Sequence, residues 1–372
     1  MKNKNLGMGI TLFAILISIF LVQIIIPDQE ISEKEQRALA QKPDFSISSY
    51  QEGKFQKNYE EYIEDQFPLR YKLMSLKTKL VKGLGVKKIQ DVYFGENGRL
   101  IQEPVYPTEE VMNLKANLIN AFQEQNPDII MNMMLIPNKA GIYAEEIDTE
   151  YQQLDFYDTF LSKLTDKMIK INAKDILLAH KEEKIFYDTD HHWTTLSAKY
   201  LADEFLKDQE TKYEYDVYVS NNHFIGTLAN KISYEEVEDV VEIYLPKTED
   251  IVYYVTYPEE GKSATTVYDL EKQYSSNAYE VFFGGNHARI DIATNVSGDK
   301  KLLIFKDSYA NCLIPFLIPY YSEIVVIDPR YYYGDIMEII NGKKITDVLF
   351  LYNMNTFFGD TSLETILNQS NE

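Results

Sequence analysis

From residue 108 to residue 352 two kinds of apolar pattern alternate along the chain, and this alternation leaves few architectures open. Thr108, followed by Glu109 and Glu110, makes a helix N-cap; Val111, Leu114, Leu118 and Phe122 keep helical spacing, and Pro127 ends the run. A short apolar run at 129–135, closed by Pro137, reads as a strand. The spacing predicts a second helix over 154–168 and an extended segment over 171–178. The alternation returns later, with strands at 302–305, 324–327 and 348–352 separated by helices at 309–320 and 335–340. Helices between successive buried strands make parallel pairing with right-handed crossovers the economical arrangement. Residues 210–283 differ: Tyr213, Tyr215 and Val217, then Val252, Tyr254 and Thr256, recur at two-residue spacing between Gly and Pro turns. That pattern predicts an antiparallel β insertion. The expected fold class is therefore α/β, with a mostly parallel sheet and a β-rich insertion.

The amino-terminal part carries other signals. No charged residue occurs from Leu6 to Ile26, a run long enough to span a hydrocarbon core. It ends in Gln23, Ile24, Ile25, Ile26 and Pro27 rather than in the small residues of a cleavage site, which favours an uncleaved anchor over a signal peptide. Lys2 and Lys4 precede the run, and Asp28, Glu30 and Glu33 follow it, so the positive-inside rule puts the short tip in the cytoplasm and the bulk of the chain outside. The expected organisation is a tip and anchor over 1–27, a polar stalk over 28–50 with Pro43 as a breaker, and one extracytoplasmic domain over 51–372. The domain begins with an amphipathic helical arm over 51–84, interrupted at Pro68, and a hairpin over 92–101 that turns at Glu96, Asn97 and Gly98. A formal net charge of -21 excludes a nucleic-acid partner, which would need clustered cations. Cys312 is the single cysteine, so no internal disulfide forms, and its apolar neighbours suggest simple burial.

Two places concentrate chemistry. The first runs Tyr187, Asp188, Thr189, Asp190, His191, His192, Trp193, Thr194, just before a helix capped by Thr194 or Thr195; it holds two of the five histidines beside two carboxylates. In an extended segment the two-residue period puts Asp188, Asp190 and His192 on one face and His191 on the other. Asp190 could then orient His192 as the third member of a catalytic triad does. Structural hydrogen bonding of the histidine pair is a second reading. A metal site of Asp188, Asp190, His191 and His192 is a third, with His180, His223 and His287 left open as distant ligands. Trp193, the only tryptophan, reads first as a packed ring that holds the loop. The second place is 302–309, where a buried strand breaks at Lys306, Asp307 and Ser308 before helical residues. At the carboxyl edge of a parallel sheet, Ser308 would be exposed near backbone N–H groups able to hold an oxyanion. Serines in strand-turn-helix settings are common, and packing alone accounts for many of them.

The Asp-His-His-Trp run and the KLLIFKDSYAN segment resemble those of the bacterial DHHW proteins. Glu35-x-Arg37-x-Leu39, Asp65-Gln66-Phe67-Pro68-Leu69-Arg70, Gly95-Glu96-Asn97-Gly98 and Ile136-Pro137-Asn138-Lys139 support the match, which spans most of the chain beyond the anchor. The same residues are similar, more distantly, to alginate O-acetyltransferase proteins with an SGNH-hydrolase-like domain. The resemblance implies a three-layer SGNH-like fold and a triad of Ser308, His192 and Asp190, with Asp188, His191, Trp193, Asp307 and Asn286 as supporting candidates. It implies an acyltransferase acting on an exported polysaccharide and supplied with acyl groups by a multipass membrane-bound O-acyltransferase. No nucleotide, metal or other cofactor is called for, and no P-loop or Gly-rich dinucleotide fingerprint is present. One departure stands out: Lys306 occupies the position of Gly in the hydrolases' Gly-Asp-Ser block, where it would crowd an oxyanion hole. Gly284-Gly285-Asn286 offers an Asn donor like that of the hydrolases' Gly-x-Asn block, or a plain turn before a strand. An esterase of the same mechanism and a non-catalytic polysaccharide-binding or assembly protein are the alternative functions.

Overall fold

A computed structural model describes residues 2–32, 34–35 and 37–369. The chain divides into two compact units, residues 1–86 with 229–235, and residues 87–228 with 236–372. In the first unit α1 covers Lys2–Ile25, α2 Lys54–Asp65 and α3 Arg70–Gly83. Pro68 cannot continue α2, and Leu69 takes a left-handed conformation, φ 60°, where the chain turns into α3. Among the described residues no helix is long and apolar enough to cross a membrane. The apolar side chains of Leu12, Ile15, Leu16, Ile19, Phe20 and Ile24, on which the anchor expectation leans, lie outside the described residues.

Residues 28–50 differ from a free stalk. A two-residue antiparallel pair, Ile31–Ser32 with Arg37–Ala38, folds them back, and a short helix at Ile47–Gln51 follows. The Arg37 guanidinium donates to Asp65 Oδ2 at 2.7 Å and to Glu35 Oε2 at 2.8 Å, while Arg70 reaches the other oxygen of Glu35. Asp65 also accepts the Ala40 N–H at 2.8 Å, and the Arg37 hydrogen bond holds its carboxyl below the usual range. Two short motifs about thirty residues apart in sequence thus form one charge network.

The second unit is built on an eight-stranded sheet. Its strands in chain order are β1 Ile130–Ile136, β2 Ile169–Lys170, β3 Tyr253–Tyr257, β4 Lys262–Ala264, β5 Arg289–Thr294, β6 Lys301–Lys306, β7 Glu323–Ile327 and β8 Asp347–Asn353. Across the sheet they run β4-β3-β5-β7-β6-β8-β1-β2. Pairing is parallel from β7 through β2 and antiparallel from β4 to β7. The adjacency of β6, β8 and β1 brings three carboxyl ends together at one edge, the edge where α/β folds place ligands.

Each face of the sheet packs against helices. Leu302, Ile304, Leu349 and Leu351 point into one core with Trp193 and with Ala198 and Leu201 of α6, Thr195–Phe205. Leu303, Phe305, Val348 and Phe350 point into the other. There they meet Ile119 and Phe122 of α4, Glu109–Gln125, Phe160 of α5, Gln153–Lys163, and Ile339 of α7, Ile336–Lys343. Burial on both faces explains why these strands read as unbroken apolar runs.

Three local expectations fail for physical reasons. Residues 171–178 are not extended: β2 is two residues long, and Asn172 accepts the Asp175 N–H at 3.2 Å to cap a helix over Ala173–Ala179. The segment 309–320 is not one helix but three short pieces, Ser308–Cys312, Ile314–Leu317 and Ile318–Tyr320, because Pro315 and Pro319 each remove a backbone donor. The region 210–283 is not a single insertion. Tyr215–Phe224 and Asp239–Pro246 pair as a ribbon around a short helix, Thr227–Ile232, whereas β3 and β4 join the main sheet through β5.

Candidate active site

Ser308 lies two residues beyond Lys306, the last residue of β6, at the start of the short helical turn Ser308–Cys312. Asp307 caps the turn by accepting the Tyr309 N–H at 2.9 Å, and its other oxygen accepts both the N–H of Asn353, at 2.8 Å, and its Nδ2, at 2.6 Å. Asn138 Nδ2 in turn donates to Asn353 Oδ1 at 3.0 Å. The residues that close β6, β8 and β1 are thereby joined, and the first turn after β6 is held rigid. Burial pushes the Asp307 carboxyl up to about 6. Ser308 itself is half-buried, and its backbone N–H has no partner among the described residues.

The opposing loop is held from several sides. Phe186 and Trp193 form an antiparallel bridge, the Thr194 N–H donates to Ile185 at 3.0 Å, and the loop between them is bent rather than extended. The fully buried ammonium of Lys139 donates to the carbonyls of Tyr187, Leu100 and Asp190, the last two at 2.6 and 2.7 Å. Burial outweighs the surrounding carboxylates and lowers its pKa to about 8.

Asp190, with no exposed surface, accepts the His192 Nδ1–H at 2.6 Å and the His192 N–H at 2.9 Å on Oδ1. Its Oδ2 accepts the N–H and hydroxyl of Thr227 at 2.7 and 2.9 Å. Burial alone would raise this carboxyl, but the His191 and His192 rings and these hydrogen bonds hold it well below the usual range. A carboxylate can only accept, so His192 Nδ1 carries the proton and Nε2 presents a lone pair. That lone pair faces Ser308 Oγ at 2.7 Å. The Tyr279 ring lies flat on the imidazole, centroids 3.8 Å apart, and the Tyr279 hydroxyl donates to the Ser308 carbonyl at 2.9 Å.

The structure thus brings Asp190, His192 and Ser308 into one hydrogen-bonded line. Asp188 does not share their face: its carboxylate turns to Lys184 and Arg99. The bend in the loop breaks the two-residue period that predicted otherwise. His191 sits beside the line, its Nδ1 2.7 Å from the Thr227 hydroxyl, and burial, with the cost of a second positive ring next to His192, lowers its pKa. Trp193 is fully buried, stacks near Tyr309 and donates to the Tyr309 carbonyl at 2.9 Å. Among the described residues one group of potential metal ligands gathers, Asp190, His191 and His192, with donor atoms within 4.8 Å of one another. Its atoms already serve one another and Thr227, while His180, His223 and His287 bond to Glu183, Glu238 and Glu260 elsewhere.

Lys306 does not enter the space beside Ser308. Its ammonium is buried and donates to Asn286 Oδ1 at 2.8 Å and Asn311 Oδ1 at 2.9 Å, with Asp328 at 3.3 Å and Arg330 completing the cluster. Asn286 follows three consecutive left-handed residues, Phe283, Gly284 and Gly285, so it does stand on a turn. An ammonium offers only donors, so Lys306 takes the oxygen of Asn286 as its acceptor, which leaves the amide Nδ2 of this exposed residue uncommitted to the cluster.

Several contributors carried no sequence signal of their own. Thr227 and Gly226 lie in an unremarkable loop. A Cβ on Gly226 would fall 2.3 Å from Asp190 Cβ and 2.6 Å from its Cα, so only glycine lets Thr227 reach the carboxylate. Tyr279 is one of 29 tyrosines. Lys139 and Asn138 were visible only as part of a short motif without an assigned role.

The family model for DHHW proteins matches residues 128–327. A crystal structure of a DHHW family protein from Eubacterium siraeum is 28% identical with a TM-score of 0.62, covering 76% of this chain and 97% of that one. Bacillus cereus PatB1, in a structure with a sulfonyl adduct, is 18% identical with a TM-score of 0.62, over 74% of this chain and 99% of that one. The O-acetyltransferase domain of Pseudomonas putida AlgJ is 15% identical with a TM-score of 0.45, covering 75% and 98%. No curated protein sequence matches the chain. The family model covers more than half of the sequence and includes the whole histidine loop and Ser308: the chain belongs to the DHHW family.

Proposed function

We propose that this protein transfers an acyl group, through an ester on Ser308, to a hydroxyl of an exported or cell-surface polysaccharide. The observation that carries the reading is the line from Asp190 through His192 to Ser308, with contacts of 2.6 and 2.7 Å. His192 Nε2 takes the Ser308 hydroxyl proton as Oγ attacks the acyl carbonyl carbon. The carbonyl oxygen becomes an oxyanion, for which the unpartnered Ser308 N–H and the Asn286 Nδ2 amide are the donors this reading assigns. Collapse expels the donor's oxygen, which receives the proton from His192, and leaves the acyl group on Oγ. A sugar hydroxyl then gives its proton to Nε2 and attacks the acyl carbon; the bond to Oγ breaks, and Oγ takes that proton back from Nε2, which frees Ser308 as its hydroxyl. Asp190 stays ionised throughout and stabilises the imidazolium in both half-reactions.

In this proposal the uncharged run from Leu6 to Ile26 is a single-pass anchor and the rest of the chain is extracytoplasmic. An outward-facing domain has no access to cytosolic acyl-coenzyme A. The acyl group must therefore be handed across the bilayer by a membrane-bound O-acyltransferase partner.

The test is Ser308→Ala expressed at the native level, with polysaccharide-bound acetyl released by mild base and quantified. Acetylation is expected to vanish while folded protein stays at the membrane; acetylation that survives sinks the nucleophile assignment. PatB1, a fold neighbour, was captured with a sulfonyl adduct. An aryl sulfonyl fluoride is accordingly expected to add its sulfonyl mass to the peptide containing Ser308, and not to the S308A protein. Product analysis with an acyl donor, with and without a sugar acceptor, separates transfer from hydrolysis.

A further inference from the structure

Helix α3 is built inside out. Its inward side carries small polar residues, Ser75 and Thr78, which are 8% and 2% exposed, and Thr78 hydroxyl donates to the carbonyl of Ile232 within the same unit. Its leucines, with the two that flank it, one at each end, face the other way. Leu69, Leu73, Leu76, Leu80 and Leu84 recur at steps of three and four residues, so they form one stripe, and they are 67, 50, 54, 59 and 84% exposed. A soluble amphipathic helix has the reverse arrangement.

The charge of α3 is as unusual as its apolar face. The helix contains Arg70, Lys72, Lys77, Lys79 and Lys82 and no carboxylate, in a chain whose net charge is -21. At 100° per residue Lys72 and Lys79 lie along one border of the leucine stripe, and Arg70 and Lys77 along the other. Lys72, Lys77 and Lys79 have no carboxylate partner among the described residues. Leucines bordered on both sides by long flexible cations are what an anionic bilayer surface selects, since the stems lie on the apolar boundary while the ammonium groups reach phosphates. Protein interfaces are instead depleted in lysine and enriched in aromatic anchors. We propose that α3 lies in the surface of an anionic lipid bilayer, leucines toward the acyl chains. The proposal rests on neither the acyl-transfer reading nor the α1 anchor.

Leu76→Cys in the full chain carries an environment-sensitive dye at that position alone, because the native Cys312 is buried. The protein is mixed with phosphatidylcholine vesicles with and without phosphatidylglycerol. With the anionic lipid, dye emission is expected to shift to the blue and to be quenched by doxyl-labelled lipid. A dye at Glu60→Cys on α2 should remain in water. Reversing Lys72, Lys77 and Lys79 to Glu, with the fold checked by circular dichroism, should abolish the dependence on anionic lipid. Flotation of the vesicles reports the anchor and the dye reports α3, so the two readings fail separately. A dye that stays in water on both vesicles overturns the proposal. So does a shift that ignores phosphatidylglycerol and grows with protein density, which would assign the stripe to a second copy of the chain.

Discussion

Two buried carboxylates, Asp190 and Asp307, stand at the site with opposite electrostatics. Asp190 has two imidazoles beside it and is held ionised; Asp307 is hydrogen-bonded by neutral amide donors, and burial raises it to about 6 against the pull of the Arg330 charge. Such separation of like groups commonly accompanies division of roles. Asp190→Asn would present an amide where His192 Nδ1–H needs an acceptor and would favour the wrong tautomer. Turnover in an acyl-transfer assay is expected to fall roughly 10⁴-fold with melting little changed. For Asp307 the sign of the pH effect reverses the usual carboxylate case. Its folded value lies above the ordinary 3.8, so the native state binds the extra proton between about pH 4 and 6, and this group's contribution to stability falls as pH rises through that window. Denaturant midpoints measured from pH 4 to 7 should show that slope in the wild type, and Asp307→Asn should remove it. Lys139 acts through the loop rather than on substrate. Lys139→Met leaves three buried carbonyls without their donor and should cost about 3 kcal/mol in urea unfolding.

At the scale of elements, the site depends on where segments end rather than on how they run. Strand β6 delivers Ser308 because Asp307, the residue that follows it, accepts from Asn353 at the end of β8, and Asn138 beyond β1 holds Asn353 in turn. The loop at 225–227 delivers Thr227 because Gly226 lets the backbone pass against Asp190. Gly226→Ala should displace Asp190 rather than merely crowd it, since the clash is with backbone as well as side chain. The expected result is a drop in turnover of about 10²-fold together with a lower melting temperature, both readable from one purified variant. The main helices and strands were legible because burial on one face, or on both, imprints a period on the sequence. The breaks were legible less often. Pro315 and Pro319 gave a sufficient reason to divide 309–320, yet the apolar residues around them mimic a continuous helix. Strand β5 leaves little trace in the sequence although Ile290 and Ile292 alternate within it, because a six-residue pattern is too short to stand out.

For the whole molecule, the proposed anchor and the proposed lipid-facing α3 predict the same compartment by different physics. Removing residues 1–27 should release the protein from its span, leaving only salt-sensitive attachment to anionic membranes through α3. Fractionation of cells expressing the truncated chain, with a high-salt wash, checks this: the protein should move to the soluble fraction after the wash, and polysaccharide acetylation should fall.

The sequence by itself determined the central buried strands at 129–135, 302–305, 324–327 and 348–352 with the helices that flank them at 109–125, 153–163 and 336–343, the uncharged amino-terminal run, and the identities of Asp190, His192 and Ser308 as a candidate set. All of these are written in local periods or in short motifs. Only the tertiary structure decided that His192 and Ser308, 116 residues apart, lie 2.7 Å from one another. It also decided that Asp188 leaves the site, that Lys306 fixes Asn286 from beneath instead of blocking the serine, and that Thr227, Tyr279 and Lys139 hold the loop. Those outcomes depend on which distant segments the packing of a two-sided core makes neighbours. A hydrogen bond between distant residues imposes no period on either partner, so nothing in the linear pattern records it.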